Sequence, residues 1–364
     1  MSLATPSKIE SIQALRGIAA LAVAMLHLAG LQTLEGLRSG TGLFRYGWMG
    51  VDVFFVISGF IMVWVTQNIE ASPKTAQRFL MQRVVRIYPL WWVCVSFVAL
   101  YFFLAHGVPA HPDFVPANES WGYYVRSLLL LPQERAPLLT EGWTLIHELF
   151  FYAVFTLIIA VKFRSKLKLA MVIWTVLTAI GLALDWQEVH PALNIIFNPL
   201  SFLFIAGAFV AELSLTSRYQ KYAGWVLGAA GLAILTLLLT GTLDKSSRVL
   251  QLILPLSLLL WSVVALEQSG KLKVRRELVF LGDISYALYL THPLVILGWR
   301  AVRPFYADGL FGGVSSKLPT LAVTALDMAA LITAFLVTAY IFHRLIEKPS
   351  LQFFKGKMAS YKKA

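Results

Sequence analysis

Two ionisable residues interrupt the apolar stretch LRGIAALAVAMLHLAG at positions 15–30: Arg16 and His27. On a helix, eleven positions bring the two side chains to within about 20° of each other and about 16 Å apart along the axis. Such residues within an apolar span face a cavity or one another. An imidazole whose N–H is accepted by a carboxylate has a fixed tautomer and greater basicity, which equips it as a general base. Two acids are placed for that role. Asp52 in YGWMGVDVFFVISGFIMVW and Glu148 in EGWTLIHELFFYAVF each stand a few residues from the outer end of their segment. At about 8–9 Å below that edge they share the depth of His27. Asp52 or Glu148 is therefore the expected partner of His27. An inert link between helices would show the same pattern.

Other polar residues extend this set. Arg83 and Arg86 in QRVVRIYPLWW are i,i+3 neighbours. Their guanidinium forks match phosphate oxygens, although snorkelling topology signals share that spacing. Tyr88 follows at once and is expected to join them in binding a cofactor. Ser58 in SGF can bond a ligand or its own backbone, and Gly50 and Gly59 suit close helix approach. Trp143, Ser58 and Tyr152 are candidate donors to a developing oxyanion. Ser285, Tyr289 and His292 form one helical stripe. There His292 either lines a cavity or bonds a carbonyl freed by Pro293. Glu347 and Lys348 read as a surface pair or an end cap. His106, His111 and His190 have no metal-ligand spacing, and Cys94 reads as packing, so no metal is expected.

The elements that must position these residues are membrane helices. The 364 residues are 58% hydrophobic and only 14% charged, with a mean hydropathy of +0.70; soluble domains carry about 25% charged residues. Apolar windows fall near 11–31, 46–66, 82–104, 142–161, 167–185, 193–213, 222–241, 248–266, 280–300 and 319–344. They predict an all-α polytopic bundle of about ten spans. The windows at 222–241 and 248–266 carry little visible chemistry. The N-terminal window, 11–31, is read as an uncleaved span, because no small-residue cleavage site follows it.

Most of the 31 Lys and Arg residues lie in the N-terminus, 67–86, 162–168, 212–221, 271–276 and the tail from Arg344. With an even number of spans, this places both termini in the cytoplasm. It also makes the net charge of +12 a topology signal rather than a nucleic-acid footprint. The chain reads as one integral-membrane domain, 1–364. Residues 105–141 form an extracytoplasmic loop with a short surface helix near 121–131, and 345–364 form a basic cytoplasmic tail.

Taken in order, Arg16-x10-His27, GVDVFFVISGF, Arg83-x-x-Arg86, EGWTLIHELFFY, ISYALYLTHP and IEKP resemble the acyltransferase-3 family of bacterial membrane O-acyltransferases. The likeness spans nearly the whole chain, and the short form is most similar to exopolysaccharide acetyltransferases. The resemblance implies ten transmembrane helices in the bacterial inner membrane, an acyl-CoA donor (commonly acetyl-CoA) and a sugar hydroxyl acceptor. It assigns catalysis to His27 and the CoA end to Arg83 and Arg86, with Arg16 in the same motif as His27. Many relatives read WSLxxExxFY where this chain has WTLIHELFFY, with Glu148 kept.

The expected partners are acyl-CoA, a polysaccharide or lipid-linked oligosaccharide acceptor, the bilayer, and polysaccharide-assembly proteins. In the expected mechanism CoA phosphates sit on Arg83 and Arg86, the pantetheine arm passes Arg16, and His27 deprotonates the acceptor hydroxyl. Direct transfer and a covalent acyl-enzyme both fit. A lipid-linked-sugar flippase or proton-coupled transporter is the alternative from another class, and neither would release thiol from acyl-CoA. A non-catalytic assembly partner would tolerate loss of His27.

Overall fold

In a bilayer every backbone polar group must be satisfied within the protein, so apolar segments fold as helices. The computed structural model describes residues 8–34, 42, 44–162, 166–215, 217–307 and 320–360, and it is all-helical among them. The α-helices are α1 (Glu10–Leu34), α2 (Met49–Thr66), α3 (Pro73–His106), α4 (Ala117–Leu128), α5 (Gly142–Ala160), α6 (Leu167–Ala183) and α7 (Pro191–Ile196). Then follow α8 (Leu200–Ser214), α9 (Ala223–Thr240), α10 (Arg248–Gln268), α11 (Arg276–Asp283), α12 (Ser285–Ala307), α13 (Thr320–Phe342) and α14 (Lys348–Ser360). A π-helical turn, His343–Glu347, joins the last two. Arg38, Lys317 and residues 361–364 of the expected tail lie outside the described residues.

Eight described helical segments are long and apolar enough to cross a membrane. They correspond to eight of the ten expected windows. The window at 280–300 takes another form: Arg276–Asp283 and Ser285–Val302 make a pair bent by 66°. The window at 167–185 is the shorter apolar helix α6. The helix expected near 121–131 is α4, somewhat earlier in the chain. Trp91 Nε1 holds its end by donating to the carbonyls of Ser127 and Leu128.

Close helix crossings set the interior. α2 packs on α8, and α1 packs on α2, α11 and α12. A Cβ on Gly59 would stand 1.8 Å from the Phe204 carbonyl oxygen, and one on Gly207 would stand 1.8 Å from that of Val56. Only glycine permits this reciprocal approach of two backbones. Gly50 lets α2 meet α1 in the same way, against the Ala19 carbonyl.

The register of α1 is fixed from α10. The Glu267 carboxylate accepts the backbone N–H groups of Glu10 and Ser11 at 2.8 and 2.7 Å. An anion at a helix N-terminus satisfies orphan donors and complements the dipole. Lys8 adds an ion pair with Asp283 at 2.6 Å. The expectation that the window at 248–266 carries little chemistry is thus corrected. α10 supplies this cap at one end and Arg248 at the other, because polar groups at span ends are invisible to an apolar-window reading.

Candidate active site

Arg16 on α1, Ser58 on α2, Arg83 and Arg86 on α3, Glu148 and Tyr152 on α5, and Tyr286 and Tyr289 on α12 line one cavity. Its remaining wall is mostly apolar, including Phe54, Phe55, Ile61, Met62 and Leu145. Both Ser58 and Tyr152 donate their hydroxyls to Glu148 Oε1, the former at 3.1 Å. The Arg83 guanidinium lies over the rings of Phe79 and Tyr152. Its Nε is buried without a hydrogen-bond partner among the described residues. Three guanidinium groups against one lining carboxylate make the cavity a receptor for anionic oxygen. A second acid, Glu347, stands within electrostatic reach of Arg16. It is buried and meets His343 Nδ1 at hydrogen-bond distance, 2.8 Å, and is not a surface partner of Lys348.

His27 does not line this cavity; it lies just past the end formed by Thr144 and Tyr289. There Thr144 Oγ1 and the Tyr289 hydroxyl meet at 2.9 Å, and the Tyr289 hydroxyl also approaches the Glu141 carbonyl at 3.4 Å. Beyond that contact His27 Nδ1 stands 2.7 Å from His292 Nε2. Glu141 Oε1 is 3.6 Å from the former nitrogen and 3.7 Å from the latter. His292 and Glu141 are buried, whereas the His27 side chain is 41% exposed. His27 therefore combines two buried partners with an accessible edge.

The acid beside His27 is thus Glu141, and the expected partnership with Asp52 or Glu148 is corrected. Asp52, fully buried, accepts from Arg248 Nε at 3.2 Å, and the Arg248 guanidinium rests on Trp48. Glu148 faces the cavity, held by Ser58 and Tyr152. Equal depth did not mean adjacency, because helices at one depth can face different neighbours. The missed residue had a signal. Glu141 immediately precedes α5, seven positions before Glu148 and so nearly in line with it along the helix.

Other expectations sort cleanly. Arg16, Arg83, Arg86, Ser58, Tyr152 and Tyr289 come together around the cavity. Tyr88 does not; its hydroxyl donates to the Leu129 carbonyl, because it projects toward the end of α4. Trp143 stands edge-on to His147 and does not line the cavity. His292 donates from Nδ1 to the Leu288 carbonyl at 3.0 Å, and the Tyr289 carbonyl that Pro293 frees is also within its hydrogen-bonding reach.

Comparison with known proteins accords with this arrangement. A family model described as "Acyltransferase domain" matches residues 9–344. The chain is 31% identical over 270 residues to the "Exopolysaccharide production protein ExoZ" of Rhizobium meliloti, covering 70% of this chain and 78% of that protein. It is 25% identical over 383 residues to the "Acyltransferase MdmB" of Streptomyces mycarofaciens, covering 95% and 92% respectively. No solved structure matches. A family match across nearly the whole chain, with its polar residues gathered inside an apolar helical bundle, makes this protein a member of the acyltransferase-3 family of membrane O-acyltransferases.

Proposed function

We propose that this protein moves an acetyl group from cytoplasmic acetyl-CoA to a hydroxyl of a cell-surface or exported polysaccharide, or of its lipid-linked precursor, in the bacterial inner membrane. The observation that carries this reading is the single cavity shared by Arg16, Arg83 and Arg86, whose outer end abuts His27 and its buried partners. Cationic residues concentrated in 67–86 and 271–276 favour a cytoplasmic mouth at the arginine end. The name of the R. meliloti relative favours a polysaccharide acceptor.

In this reading Arg83 and Arg86 hold CoA phosphates, and the pantetheine arm runs along the cavity past Arg16. The contact between Thr144 and Tyr289 parts to admit the thioester to His27. His27 takes the proton of the acceptor hydroxyl, whose oxygen bonds to the acyl carbon as the carbon–sulfur bond breaks. The proton then passes to the CoA thiolate. Glu148 holds Ser58 and Tyr152 in the cavity wall, and both hydroxyl protons are engaged by that carboxylate. Asp52 serves architecture, pairing with Arg248.

The test is reconstitution in nanodiscs with acetyl-CoA and surface polysaccharide. Thiol release and a mass increase of one acetyl group on the glycan are expected. His27→Ala should abolish both while leaving the thermal unfolding midpoint unchanged. Movement of a lipid-linked sugar without thiol release would instead place the protein among translocators.

A further inference from the structure

His292 and Glu141 have a chemical relation to His27 that packing alone does not require. The His27 and His292 ring centroids are 5.0 Å apart, and their planes are inclined by only 14°. The nitrogen–nitrogen distance of 2.7 Å plus the two centroid-to-nitrogen radii accounts for that whole separation. The rings therefore meet edge to edge in nearly one plane, as an N–H···N hydrogen bond demands.

The protons on this chain can be assigned. A carbonyl oxygen only accepts, so His292 Nδ1, 3.0 Å from the Leu288 oxygen, carries a proton. Neutral His292 then presents a lone pair at Nε2. The proton between the rings belongs to His27 Nδ1, and the lone pair of neutral His27 sits on Nε2. Glu141 Oε1 lies almost equally far from both inner nitrogens. Its other oxygen is buried without a hydrogen-bond partner among the described residues.

We propose that His292 and Glu141 are positioning residues for His27: His292 fixes its tautomer so that Nε2 is the base, and Glu141 balances the charge that His27 gains. The proposal rests on the transferase reading above. When the acceptor O–H breaks, its proton goes to His27 Nε2 and the oxygen's electron pair forms the bond to the acyl carbon. His27 is then cationic, with protons on both nitrogens. The Nδ1 proton sits in the bond to His292, so the two rings share the charge beside one carboxylate. The charge is lost when His27 returns a proton to the departing CoA sulfur. Charged groups at this end include Lys245, within electrostatic reach of His27 from the segment before α10, Arg45 and Asp244, which share a surface pocket with Lys245, and Asp52, engaged by Arg248.

The same three side chains have the composition of a metal site, with ligand atoms within 4.8 Å of one another. Their spacing argues for the proton. Two imidazole nitrogens on a tetrahedral zinc stand about 3.3 Å apart, against 2.7 Å here.

The experiment combines histidine ¹⁵N NMR of the nanodisc protein with steady-state acetyl transfer from acetyl-CoA to a cello-oligosaccharide mixture. Wild-type His27 is expected as the Nδ1–H tautomer, a state that needs no acceptor to be observed. His292→Ala should lower kcat about 100-fold or more with KM for acetyl-CoA unchanged, the range of a general-base contribution. His292→Gln, whose carbonyl oxygen can accept the same proton, should recover most of that loss. Glu141→Gln should keep the tautomer yet lose kcat.

An Nε2–H tautomer in the wild type would overturn the proposal, as would undiminished kcat in His292→Ala, or stoichiometric zinc on metal analysis of active protein. Failure of the transferase reading appears separately, as absence of thiol release with the tautomer intact.

Discussion

At the scale of single residues, burial separates groups that hold the fold from groups open to a ligand. Asp52 and Arg248 form an ion pair in which the carboxylate is fully buried. Removing one partner strands a charge, which costs about 3–5 kcal/mol, whereas replacing both can be neutral. Asp52→Asn should therefore unfold at markedly lower temperature, and Asp52→Asn combined with Arg248→Met should recover stability together with acetyl transfer. A stable but inactive double variant would give Asp52 back a role in the chemistry. Arg83 and Arg86 have the opposite character, because their charge opens on a cavity rather than on a buried acid. Each lost charged phosphate contact removes about 1.5–3 kcal/mol of binding. Calorimetry of CoA binding should show Arg83→Ala weakened by at least tenfold, and normal affinity in the Arg83/Arg86 double variant would exclude the phosphate clamp.

Helices position these residues through contacts that are local and steep. The crossing of α2 with α8 brings Ser58 into the cavity wall, and it depends on Gly59 and Gly207. Gly59→Val drives a side chain into the Phe204 backbone carbonyl, which cannot swing aside, so a loss of more than the about 1–3 kcal/mol typical of overpacking is expected. Gly224→Ala on α9 meets no atom within 4 Å and should leave the unfolding midpoint unmoved. On α1 the Glu267 cap sets how far Arg16 and His27 project along the bundle. Glu267→Ala should cost about 0.5–2 kcal/mol, as lost helix caps do. It should also depress kcat if α1 shifts, which a thermal scan and an activity assay on the same sample can distinguish from simple unfolding.

For the whole molecule, the proposed direction of transfer requires that the arginine end face the cytoplasm and His27 face outward. Cys94, the chain's one cysteine, is buried and should stay silent toward maleimides. Glu70 and Lys245 are both exposed, near opposite ends of α2 and α10. Lys245→Cys should label in intact cells, and Glu70→Cys only after permeabilisation. The reverse pattern would invert the proposed topology and put the cavity mouth on the outside.

How much of this was legible in the sequence depends on the dimension each property needs. The apolar windows and the polar residues within and beside them, Arg16, His27, Arg83, Arg86 and Glu148 among them, were readable. Transfer of a polar group into lipid is penalised residue by residue along one helix axis, and depth is a coordinate along that axis. The break between α11 and α12, the partner of His27 and the partner of Asp52 were not. Glu141 and His292 meet His27 from the N-terminal end of α5 and from α12, and Arg248 reaches Asp52 across a separation of 196 residues. Such meetings depend on which helices are neighbours and how each is rotated. Glycine crossings and end caps decide both once the chain is packed, and a one-dimensional pattern of hydropathy carries no record of rotation.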